Sequence, residues 1–107
     1  MAVYMIVETK ITDKEVFSHY GEKLDEVFTK YGGRFLARGG EVTPLSGNWN
    51  PERIAVIEFE SFELLMNCFT SADYLEIAAL RELSTISKAI VVRGCQPSAD
   101  KLNNLPS

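Results

Sequence analysis

Three short runs constrain the chain most: AVYMIVE (Ala2–Glu8), RIAVIEF (Arg53–Phe59) and AIVV (Ala89–Val92). They are rich in β-branched and aromatic residues and apolar on both alternating faces. A strand with one wet face alternates apolar and polar residues, so these runs predict strands covered on both sides.

What lies between the runs has a different period. Thr12 and Glu15 have capping-box spacing, and Val16, Tyr20, Leu24, Val27, Phe28 and Tyr31 then recur on one helical face. This predicts a helix from Asp13 to about Tyr31, ended by Gly32-Gly33, since glycine accepts left-handed backbone angles. Arg34–Arg38 reads as a second strand punctuated by Gly39-Gly40. EVTPL beyond it either continues the strand past a bulge or folds into a short hairpin. SGNWNP (Ser46–Pro51) is turn chemistry except for Trp49. Ser61 caps a short helix through Phe69, and Ser71 caps a longer one to about Ile86, with a bend near Thr70.

The order is β-α-β-β-α-β. With right-handed crossovers, two split β-α-β units interleave into a four-stranded antiparallel sheet with its helices on one face. The predicted fold is therefore α+β and ferredoxin-like, with the first and third strands central. Residues 1–94 form one domain, and 95–107 are an irregular tail. The other sheet face keeps apolar residues that need cover, which predicts a homodimer made by pairing two sheets.

Composition removes several functions. The 107 residues carry a formal charge of -4 and show no basic stripe, which argues against nucleic acid. Glu8 interrupts the first apolar run, and no segment approaches the ~20 apolar residues of a membrane span, so a cytoplasmic protein is expected. Cys68 and Cys95 are distant and lack a paired motif, which predicts reduced thiols. No second His or Cys stands at ligand spacing from His19, so no metal or other cofactor is expected. His19 falls on the helix face of Glu15, Glu22 and Glu26, as a solvated side chain would.

YGGRFLARGG, NWNPERIAVIEF and SADY with Arg81 beyond it resemble the domain-of-unknown-function family 1330, over roughly Val3 to Gly94. Cys68-Phe69 stands where that family usually has an aromatic pair. The resemblance implies the dimeric α/β-barrel superfamily, whose members include cofactor-free oxygenases, isomerases, haem proteins and ligand-binding regulators. The fold does not choose among them.

GGRFLARGG is neither dinucleotide fingerprint nor Walker A and follows a helix rather than a strand. Strict alternation places Arg34, Leu36 and Arg38 on one face, and Ile54, Val56 and Glu58 on one face of the next strand. Arg38 beside Glu58 is the expected charge pair, either structural or orienting a ligand clamp. Tyr74 and Arg81 stack on one helix face with Ile77 and Ala78, apart from the stripe Leu75, Ala79, Leu83 and Ile86. Trp49, in its polar loop, is either a ligand or partner contact or a loop anchor.

The candidate ligand-binding residues are thus Arg38, Trp49, Glu58, Ser71, Tyr74 and Arg81. The leading expectation is a pocket between sheet and helices for a small polar or anionic organic ligand. A cofactor-independent oxygenase or isomerase, with Glu58 as base, and a purely structural dimer are the rival readings.

Overall fold

A computed structural model describes residues 1–95; the expected tail lies outside the described residues from Gln96 onward. The elements are β1 (Val3–Ile11), α1 (Lys14–Tyr31), β2 (Arg34–Arg38), β3 (Ile54–Phe59), α2 (Phe62–Phe69), α3 (Ala72–Ser84) and β4 (Thr85–Arg93). They form one antiparallel sheet in the order β2-β3-β1-β4, so the two strands with the most evenly apolar sequences are the central ones. This is the ferredoxin-like α+β arrangement, with its second helical connection broken into α2 and α3 at Thr70.

Local chemistry explains the boundaries. Asp13, rather than the expected Thr12, caps α1: its Oδ1 accepts from the Val16 amide at 3.1 Å. Ser61 and Ser71 cap α2 and α3 in the same way, each accepting an amide three residues on. α1 ends with Gly32 in the left-handed region, and the Gly33 amide donates to the Phe28 carbonyl at 2.8 Å.

β4 begins at Thr85, although the apolar helical pattern runs on to Ile86. The Thr12 amide takes the Ser84 carbonyl at 2.7 Å, and the Thr85 hydroxyl takes the Arg81 carbonyl. The Arg81 and Ser84 carbonyls, two of the last four of the helix, are satisfied there, and the backbone turns directly into strand. β1 then runs three residues beyond its apolar stretch, because Thr9, Lys10 and Ile11 pair with Ser87, Ile86 and Thr85.

Strand register fixes the two faces. Val3, Ile57 and Phe59 point to the helices and form a core with Leu24, Val27 and Phe28 of α1 and Leu65 and Cys68 of α2. Tyr4 and Ile6, with their partners Val56, Ile90 and Val92, point the other way. Among these, Ile90 is 64% exposed, and no element of the described residues covers it. The connection between β2 and β3 contains no strand, so EVTPL neither continues β2 nor forms a hairpin; Leu45 within it is 97% exposed. No helix of the described residues is long and apolar enough to cross a membrane.

Candidate functional site

The strands and helices enclose a cavity of about 220 Å³ on the helical side of the sheet. Its floor is small and apolar, made by Met5 and Val7 of β1 and Ala55 of β3, and aromatic rings of α1, including Phe17 and Phe28, wall it. Alternation along β1 and β3 delivers the floor, since residues of one parity share a face.

Two tyrosines stand at depth. Tyr20 is 7% and Tyr74 5% exposed, and their hydroxyls are 3.1 Å apart across α1 and α3. The pair has two protons and one shared hydrogen bond, so one O–H remains to donate into the cavity. Burial, and next the neighbouring Tyr74, raise the Tyr20 pKa far above the usual phenol value. Tyr20 therefore stays a neutral hydroxyl.

Around this apolar interior stand three cations, Arg38, Arg53 and Arg81, and no Asp or Glu among the lining residues; Lys88 also borders the cavity, but in the ladder it shares the other sheet face with Ile86 and Ile90. Arg38 donates to Asp25 at 2.6 Å and to the Gly21 carbonyl, and its guanidinium lies 4.1 Å from the Phe35 ring centre. Arg53 is half-buried, with its guanidinium 5.2 Å from the Phe17 ring centre and no carboxylate partner among the described residues. Desolvation, and then the Arg38 charge, lower the Arg53 pKa. Gly39, at φ 62°, gives it room: a Cβ there would fall on the guanidinium.

The expected Arg38–Glu58 pair is not formed. Glu58 lies on the opposite sheet face, where Arg34 donates to it at 2.7 Å. A bulge between Phe35 and Ala37 breaks the alternation of β2, so Phe35 pairs with Ile57 and Arg38 with Ala55, both on the helical side. Strict alternation holds only in an unbulged ladder. Arg34 and Glu58 share one face, and Phe35 and Arg38 share the other. The Arg34 hydrogen bond, followed by that from Tyr4, holds the Glu58 carboxyl below its ordinary value.

Of the other expected site residues, Tyr74 and Arg81 both line the cavity. Ser71 does not; its hydroxyl donates to the Cys68 carbonyl while accepting the Tyr74 amide. Trp49 sits away from the cavity, its Nε1 donating to Glu8 at 2.7 Å. His19 is exposed on α1. The inward face of α3 carries Tyr74, Ile77 and Arg81, while Leu75 and Leu83 are exposed.

Sequence reasoning missed Arg53 and Tyr20. Arg53 shares parity with Ala55, Ile57 and Phe59, which was the available signal. In the sequence Tyr20 is one more member of an apolar stripe. Only its polar tip, opposite that of Tyr74, set it apart.

A family model described as domain of unknown function (DUF1330) matches residues 2–95, and the chain belongs to that family. No curated protein matches the sequence at a significant level. Among solved structures, a protein of unknown function from Rhodopseudomonas palustris is 16% identical at a TM-score of 0.73, over 90% of this chain and 84% of its own. The cofactor-independent oxygenase SnoaB of Streptomyces nogalater is 10% identical at 0.64, over 89% of this chain and 94% of its own. A dimeric protein of unknown function with a ferredoxin-like fold from Bacteroides fragilis is 15% identical at 0.57, over 87% and 96%. At these identities the likeness shows the fold.

Proposed function

We propose that this member of the DUF1330 family is a small homodimeric protein that binds a polar or anionic organic molecule in the cavity between sheet and helices. The observation that carries the reading is an apolar, aromatic-walled cavity with a cationic surround and a buried pair of hydroxyls. Ligand sites commonly combine an apolar lining with a few convergent polar groups. An interior built only for stability is filled to crystal-like density rather than left open beside charged groups.

The homodimer draws support from the sheet's other face. Ile86 and Ile90 are each exposed by more than 60%, and Ile6, Ile54 and Val56 extend the same apolar surface. A patch of that kind marks an interaction surface. Light scattering should give about twice the 12.0 kDa chain mass, and Ile90→Lys should reduce it to one. A wild-type monomer at all concentrations would rule the dimer out.

Native mass spectrometry of freshly purified protein tests the cavity reading. A small adduct released on activation, and absent after denaturation and refolding, is expected. If no adduct is found and no small organic acid or amide binds, the reading is wrong.

A second reading, cofactor-free oxygenation or isomerisation, draws on Arg81 near the tyrosine pair, a donor set suited to a developing enolate. Its expected base, Glu58, faces the opposite side of the sheet. Consumption of the co-purified compound separates this reading from simple binding.

A further inference from the structure

The cationic residues bordering the cavity are not equivalent. Lys88 stands opposite Glu8 in the β1–β4 register, on the other sheet face with Ile86 and Ile90. Arg81 is in the last turn of α3, where the negative end of the helix dipole already favours a cation. Arg38 has Asp25 at hydrogen-bond distance. Arg53 alone has neither a carboxylate nor a helix end, although it stands half-buried against the Phe17 ring.

Arg53 and Arg38 close one side of the cavity together. Asp25 offsets one guanidinium, so that side carries one net positive charge. A planar fork of N–H donors with one charge to neutralise suits a carboxylate, which it can hold through two parallel hydrogen bonds. A doubly charged phosphate would leave excess negative charge in a half-desolvated place. Next to this end lies the apolar floor of Met5, Val7 and Ala55, which offers nothing to a second polar group.

We infer that the cavity takes an amphipathic monocarboxylate, its carboxylate on the Arg53 guanidinium with Arg38 alongside and its apolar body on Met5, Val7 and Ala55. The inference rests on reading the cavity as a binding site and adds the ligand's chemical class and direction of entry. The spare hydroxyl proton of the Tyr20–Tyr74 pair then meets any oxygen on the buried end of the ligand.

Methionine placement supplies a reporter. Met5 lies on the cavity floor, whereas Met1 and Met66 are exposed elsewhere. Protein labelled with ¹³C at the methionine methyls is titrated with benzoate, 2-naphthoate and octanoate, each beside its primary amide. The Met5 resonance should move with at least one acid while Met1 and Met66 stay in place. That acid should bind at least about tenfold more tightly than its amide, the scale of one charged hydrogen bond. Arg53→Gln should bring acid and amide to within about threefold. If that variant does not fold, Arg53→Lys takes its place and should lose part of the preference, since an ammonium lacks the two-pronged fork.

Equal binding of acid and amide to the wild type would overturn the carboxylate inference and leave the cavity reading intact. So would a preference abolished by Arg81→Gln and untouched at Arg53. No movement of Met5 with any acid or amide would overturn both.

Discussion

Gly33→Ala is the substitution whose sign most sharply tests the packing of the β2 entry. The φ of Gly33 is not in the left-handed region, so on backbone grounds alanine should stabilise by about 0.4–1 kcal/mol through the unfolded chain. The packing says otherwise. A Cβ at Gly33 would stand 2.6 Å from Cζ and 2.8 Å from Cε1 of Phe59. That ring is fully buried and held by neighbouring rings, edge-on at 5.5 Å from Phe28 and tilted at 6.2 Å from Phe69. It has nowhere to go without displacing them, and overpacking of this kind costs about 1–3 kcal/mol. The clash outweighs the entropic gain, and a net loss of about 1–2 kcal/mol is expected. Urea unfolding of the wild type, Gly33→Ala, Phe59→Leu and the double variant forms a cycle, in which the double variant should be more stable than the sum of the singles by about 1 kcal/mol. Gly40→Ala, with no atom within 4 Å of its Cβ, is the control and should be neutral or slightly stabilising. A stabilised Gly33→Ala, or strict additivity with Phe59→Leu, would refute the close approach of β2 to that ring.

Tyr74→Phe leaves the buried Tyr20 hydroxyl without its partner and should cost about 1–3 kcal/mol, while Tyr20→Phe/Tyr74→Phe should recover part of it; denaturant midpoints of the three variants decide. Arg38→Ala should cost less than about 1 kcal/mol, because the Arg38–Asp25 pair is solvent-exposed on both sides; a larger loss on thermal unfolding contradicts the assignment. The Glu58 pKa is depressed in the fold, so its contribution is present above the ordinary value of 4.5 and is lost as pH falls through the lower folded value. The gap in urea midpoint between wild type and Glu58→Gln should therefore close below about pH 4.5, and a gap that persists there removes Glu58 as its source. Burial raises the Cys68 thiol to about 11, and no disulfide is present among the described residues. Its reaction with a thiol reagent at pH 8 should be slow in native protein and complete after denaturation.

The fold was legible because each level of pattern agreed with the next. Two-sided apolarity marked Ala2–Glu8 and Arg53–Phe59 as central strands, and the register confirms that they pair with each other. Helix starts at Ser61 and Ser71 followed from capping chemistry, and both serines accept the expected amides. The site was legible only where helical periodicity carries over without interruption, as for Tyr74 and Arg81. Arg38 lines the cavity, but with Asp25 and not Glu58 as its partner. Parity counted from Arg34 fails because the strand contains an extra residue, and nothing in RFLAR announces where the ladder skips. Glu58 fell out of the site by the same error. Trp49 sits in a loop, where neither period applies, and its Glu8 partner lies far away in sequence.

The bulge in β2 gives the strand one residue of slack. Leu36 is the position that the pairing passes over, between Phe35 opposite Ile57 and Ala37 opposite Val56. Loss of a single codon anywhere from Phe35 to Ala37 uses up that slack: the ladder becomes regular, and Arg38 still faces the helices. Gain of a codon has no such reserve and must be absorbed by a wider bulge or by sending the guanidinium to the apolar face. Tolerance to length change along this strand is therefore lopsided. Shortening keeps the charge at its address, and lengthening puts it at risk.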